Sequence, residues 1–262
     1  MKDTTVSKIF SKVPEVTLWF WVIKILCTTV GETAADFLAT DNGLNWGLVN
    51  TMLAISVFLI IMLFFQFKVK KYIPGIYWLA VVLISVVGTQ ITDYLHDGRG
   101  VTLATTTLVF GGILALVFAL WYAVEKTLSI HSIYTLRREA FYWLTILFTF
   151  ALGTAAGDYL AETLQLGYLS ALLIFAGALV VVTILHMQFK LNAVLSFWIA
   201  YILTRPLGAS IGDYLSQAKV DGGLGLGTVV TSALFLIAIL GTVIYLTMTK
   251  KDAIAIEAES CA

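Results

Sequence analysis

Charge is what this sequence has least of. Only 12% of its residues are Asp, Glu, Lys or Arg and 60% are hydrophobic, whereas a soluble domain carries about 25% charged residues. Sixteen basic residues balance sixteen acidic ones, so no net field draws nucleic acid, and none is expected as a partner. Cysteine is nearly absent too. Cys27 lies in an apolar stretch and Cys261 in the polar tail, so no structural disulfide is expected. Cys261 is followed by one residue, which does not make a prenylation signal. The chain contains no Gly-x4-Gly-Lys-Ser/Thr, no His-Glu-x-x-His and no Gly-x-Ser-x-Gly. Nucleotide-driven work and the common hydrolase chemistries are therefore not expected. The expectation is a protein that is not an enzyme and holds no cofactor.

Long apolar runs are what the chain has instead. Eight of spanning length can be marked, at about 16–38, 46–67, 76–95, 101–124, 140–160, 169–186, 193–215 and 227–247. A helix crosses a hydrocarbon core in about 20 residues. The runs are continuous rather than alternating, which favours helices over a barrel. The expected fold is all-α: a polytopic membrane protein of eight transmembrane helices in one domain, residues 1–262. The short basic stretch before the first run reads as a flank of a span, not as a cleaved signal. Basic residues fix the orientation. Lys2, Lys8, Lys12, Lys68, Lys70, Lys71, Lys126, Arg137, Arg138, Lys190, Lys250 and Lys251 fall on one set of connections, and Arg99 and Lys219 on the other. The positive-inside rule puts both termini in the cytoplasm.

One pattern is written four times. The copies read GETAADFL from Gly31, GTQITDYL from Gly88, GTAAGDYL from Gly153 and GASIGDYL from Gly208. Each has an Asp five residues after the Gly: Asp36, Asp93, Asp158 and Asp213. Ten residues before each Gly stands a Trp (Trp21, Trp78, Trp143, Trp198), itself preceded by Phe20, Tyr77, Tyr142 or Phe197. Repetition at this period marks a two-helix repeating unit. The units are placed at about 14–70, 71–124, 138–190 and 191–250, as helical hairpins with a cytoplasmic joint at about 125–139. Two spans per unit make the repeats parallel about an axis along the membrane normal. A fourfold ring and two halves of two both remain open.

These four units resemble a repeat of unknown function found in bacterial integral membrane proteins described as uncharacterised membrane-anchored proteins. The resemblance covers nearly the whole chain and implies the repeat architecture and a multi-pass place in the bacterial inner membrane. The first copy departs most, with Glu32, Ala35 and Phe37, so a strictly fourfold site is not expected.

Each repeated position has a physical reading. The glycines form small-xxx-small pairs, which let helices approach closely in lipid. The Trp residues suit an interfacial belt, matched by Tyr94, Tyr159 and Tyr214 at the other face. Asp158 lies about 20 Å along a helix from Trp143, in the outer third of the bilayer. A structural role would have each Asp bond the turn that follows it. A functional role would have the four converge and bind a cation, with Glu32 one helical turn before Asp36. Thr33, Thr89, Gln90, Thr154 and Ser210 offer further oxygen atoms of the kind hard cations take. Lys24 is expected to snorkel toward the cytoplasmic face. Arg205, about 12 Å along its helix from Asp213, needs a carboxylate on a neighbouring helix and is the candidate internal counter-charge. Pro206 is expected to kink that span.

The function expected from these residues is secondary transport or export of a small cation, a divalent metal such as manganese first among them. The metal is cargo rather than cofactor, the partners are the lipid bilayer and that cation, and monomer and homodimer both stay open. A channel with an acidic outer ring, and a non-transporting scaffold or sensor, are the alternatives.

Overall fold

The computed structural model describes residues 9–40, 43–252 and 255–256. Lys2, Lys8 and Cys261 lie outside these residues. Eight long helices follow one another: α1 (Leu18–Ala39), α2 (Leu48–Lys68), α3 (Pro74–His96), α4 (Leu103–Glu125), α5 (Leu136–Asp158), α6 (Tyr168–Phe189), α7 (Ala193–Ser216) and α8 (Thr228–Thr249). All but α1, which carries Lys24, Glu32 and Asp36, are long and apolar enough to cross a membrane. A two-residue antiparallel pairing of β1 (Ile9–Phe10) with β2 (Ala255–Ile256) ties the two ends of the described chain together.

Local chemistry sets the helix limits. Thr17, Thr102, Thr135 and Asn192 cap α1, α4, α5 and α7 through side-chain oxygens, and Pro74 opens α3 where no amide hydrogen is needed. Helices α2, α6 and α8 begin after Gly47, Gly167 and Gly227, all near φ +76°, a backbone region that only glycine enters freely. The connections before them repeat a Leu-x-x-Gly string, at Leu44, Leu164 and Leu224.

The odd-numbered helices form a ring. α1 packs on α3, α3 on α5, α5 on α7, and α7 on α1. The even-numbered helices, the more apolar set, lie outside it. The two helices of one repeat do not form the expected packed hairpin. Each even helix instead lies along the odd helix of the next repeat: α2 on α3, α4 on α5, α6 on α7, and α8 back on α1. The short turns hold a repeat's helices in sequence, but the grooves that fit them belong to their neighbours.

The repeated glycines seat the ring. A Cβ at Gly31 would stand 1.9 Å from Ser85 Oγ, at Gly88 2.8 Å from Phe150 Cβ, at Gly153 2.4 Å from Arg205 Cγ and at Gly208 1.9 Å from Thr28 Oγ1. Each Gly thus meets the residue three places before the Gly of the next repeat. The small-residue reading is met as close helix approach. α7 runs unbroken through Pro206.

The end of the ring that carries the Trp residues, here the Trp end, is sealed. Phe20–Trp21, Tyr77–Trp78, Tyr142–Trp143 and Phe197–Trp198 are all edge-on pairs with ring centroids 5.0 to 5.4 Å apart. Trp78, Trp143 and Trp198 are buried and Trp21 is half-buried. The interfacial belt expected of them is therefore an internal aromatic layer, because the connections fold over this end and cover it. Ile130 and Ile133, in the segment between α4 and α5, are buried in that layer. Lys12 reaches Glu139 at 2.6 Å, and Gln66 holds the other oxygen of Glu139 at 3.0 Å. Tyr72 bonds Asp252 at 2.6 Å and accepts from Trp78 Nε1 at 3.0 Å. Burial, and then the bond to Asp252, push the Tyr72 phenol well above its ordinary pKa.

Candidate acidic cation site

The ring axis is layered. Below the aromatic layer sits Lys24, fully buried. Its ammonium donates to the Tyr201 carbonyl at 2.9 Å and to Thr204 Oγ1 at 2.5 Å, and lies 4.0 Å from the centre of the Tyr201 ring. It does not snorkel, because the aromatic layer closes the path outward and Tyr201 supplies both a carbonyl and a π-face.

Arg205 forms the next layer. Its guanidinium reaches all three other ring helices. Nη2 donates to Glu32 Oε2 of α1 at 2.9 Å and to Thr154 Oγ1 of α5 at 2.6 Å, and also contacts Thr89 Oγ1 of α3. Nη1 donates to the Thr28 carbonyl at 3.2 Å. Glu32, Thr89 and Thr154 each stand one residue after their repeat's Gly, and the fourth repeat has Ala209 there. Three repeats thus offer oxygen at one level, and the fourth leaves room for an arginine from one turn earlier on its own helix. Glu32 is the carboxylate on a neighbouring helix that Arg205 requires.

The acidic layer lies at the other end, here the Asp end. Glu32, Asp36, Asp93, Asp158 and Asp213 line a single cavity of about 120 Å³, room enough for several waters. Gln217 Nε2 donates to Asp36 Oδ2 at 3.1 Å. Among the described residues, no Asp carboxylate of the four bonds the turn that follows it. The further sequence-marked oxygens divide. Thr89 and Thr154 join the Arg205 layer. Thr33 bonds Ser232 of α8 at 2.7 Å and Gln90 donates to the Ala35 carbonyl at 3.0 Å, which braces the helices, while Ser210 is buried in α7; none of the three lines the cavity.

A second polar ring escaped the sequence reading. Thr40, Asp97, Glu162 and Gln217 each follow the motif Asp by four residues and all line the same cavity, with His96 beside them. The signal was present as the one-turn spacing past each Asp, but in α5 it runs into a π-helical turn, Tyr159–Thr163. Seven carboxyls therefore share this space; among the described residues Glu32 pairs with Arg205, and His96 Nε2 stands 3.9 Å from Asp97. Like charges this close do not all ionise without a neutralising cation or bound protons. Among the described residues, no group of three or more His, Cys, Asp or Glu stands at metal-holding spacing. The carboxyls line a shared space and do not form a ready ligand cage.

A family model, Repeat of Unknown Function (DUF347), matches residues 19–72, 76–127, 141–191 and 196–252, one match for each repeat. No curated protein and no solved structure matches the chain.

Proposed function

We propose that this chain, which belongs to the DUF347 repeat family, is a secondary transporter of a small hard cation, a divalent metal such as manganese being the leading cargo. The observation that carries this reading is the convergence of the four repeated Asp residues and Glu32 on one cavity, with Arg205 as a built-in counter-charge directly beneath. In this reading α1 crosses the membrane as an eighth span and the Trp end faces the cytoplasm of a bacterial inner membrane. The basic residues support that orientation, since Lys68, Lys70, Lys71, Lys126, Lys190 and Lys250 all fall on connections at that end.

Electrostatics suggests the working cycle. With the cavity empty, Arg205 neutralises Glu32. A divalent cation settling among the carboxylates competes with Arg205 for Glu32, and carboxylate, hydroxyl and amide oxygens suit such ions. Release of Arg205 loosens its hold on α1, α3 and α5 together, which supplies the coupling between binding and a change in the ring. No nucleotide motif is present, so an ion gradient or the membrane potential drives the cycle. The packed aromatic layer and the arginine across the axis favour a carrier over a standing channel.

The test is uptake of Mn²⁺ into proteoliposomes holding a metal-quenched dye. Wild-type transport should saturate, and Asp36→Asn, Asp93→Asn, Asp158→Asn and Asp213→Asn should each lower it about tenfold or more at unchanged protein yield. Wild-type flux in all four variants would sink the proposal. Lower yield with normal flux per molecule would instead assign the Asp residues to structure.

A further inference from the structure

A second cavity, of about 660 Å³, opens beside the ring near the Trp end, among α1, α6, α7 and the connection from α4 to α5. Its volume is in the range of small-molecule sites. It is a local departure from the fourfold pattern. Nineteen residues past the cap of each even helix stand Gln66, Trp121, His186 and Leu246. Gln66, Trp121 and Leu246 are at most 1% exposed and fill the grooves they enter. His186 fills nothing and lines the open cavity. One turn earlier α4 places Phe118 edge-on to Trp198 at 5.0 Å, where α6 has only Thr183. Two space-filling side chains are replaced by an imidazole and a hydroxyl, and this part of the groove stays open.

Its polar groups are arranged for a ligand. Ser196 lines the cavity and is buried, and its Oγ has no hydrogen-bond partner among the described residues. His186 Nδ1 is 3.0 Å from the Leu191 carbonyl. A carbonyl only accepts, so Nδ1 carries the hydrogen and Nε2 remains for another partner. Thr204 lines the cavity and accepts from buried Lys24. Ser129, His131 and Thr183 add polar groups at the lining, and the rest of the walls, including Ile25, Leu179, Val182 and Val194, are apolar.

We propose that this cavity binds a single-chain acidic amphiphile, a fatty acid in its chemistry, taken from the membrane leaflet at the Trp end. The hydrocarbon chain lies along Ile25, Leu179 and Val182, and the carboxyl group forms hydrogen bonds with Ser196 Oγ and His186 Nε2. This site is separate from the acidic cavity and stands whether or not cation transport does.

The experiment is equilibrium binding of radiolabelled palmitate to the purified full-length chain in a non-ionic detergent, with hexadecanol as competitor. Saturable binding of one palmitate per chain, indifferent to excess hexadecanol, is the expected result. His186→Leu, the residue type α8 carries at that place, and Ser196→Val should each weaken binding about tenfold with unchanged size-exclusion profiles. Should His186→Leu lose its monodisperse profile, Ser196→Val and Thr183→Phe are read by the same threshold. Non-saturable partition, wild-type affinity in the folded variants, or equal competition by hexadecanol would each overturn the proposal.

Discussion

Arg205 concentrates the chemistry of the ring into one side chain. Removing one partner of a buried ion pair strands the other charge at a cost of about 3–5 kcal/mol, far more than the pair itself contributes. Arg205→Gln and Glu32→Gln should therefore each lower the melting temperature sharply in detergent, and the double variant should be more stable than either single one. Additive losses in thermal melts would show that the two residues act independently. The sequence showed that Arg205 needed a carboxylate from another helix. It did not show which one, because the contact joins residues 173 positions apart and depends on α7 closing against α1. The Trp residues illustrate the opposite failure. A Trp near the end of a span ordinarily marks the lipid interface, and only the connections folded over that end turn it inward.

Among the elements, the odd helices were the legible ones and the even helices were not. The odd helices carry the Gly, Asp and Trp in fixed register. The even helices repeat a fainter stripe of buried positions, such as Thr51, Thr106, Ala171 and Thr231 four residues past each cap. Thr recurs in three of those four places, but such positions lie among long apolar runs without the Gly, Asp and Trp that mark the odd helices. Two spans per repeat point to a hairpin, but groove fit decides which helices pack. The ring contacts make a sharp comparison within one helix. Gly153→Ala would push a Cβ to 2.4 Å from Arg205 Cγ, whereas the Cβ of Gly157→Ala would meet Pro206 at an ordinary 3.6 Å. Overpacking costs about 1–3 kcal/mol, while Gly to Ala in a helix interior gains up to about 1 kcal/mol. Gly153→Ala should lower the melting temperature and Gly157→Ala should hold or raise it. Equal effects in the same melts would mean that the α5–α7 approach does not limit stability.

At the scale of the whole molecule, eight helices and a fourfold repeat could be read from apolar runs and motif spacing. The convergence of the Asp residues could be framed but not placed, since a ring and two halves predict the same string of letters. Ring closure decides it, with α8 lying on α1 and β1 pairing with β2. That closure also has a meaning in time. Of the eight helices, α1 is made well before α8, the one that covers it. Until α8 is made, the helix bearing Lys24, Glu32 and Asp36 has one flank uncovered. A circular permutant that begins at α3, joins the old ends through β1 and β2, and finishes with α1 and α2 makes α8 just before α1. Pulse-labelled native chains should become protease-resistant only after α8 has emerged, and chains of the permutant should lose that particular delay. An unchanged delay would mean that some step other than the covering of α1 sets the pace. The first repeat is the one that departs most from the pattern, and in the order of birth it is also the one left longest without its neighbour.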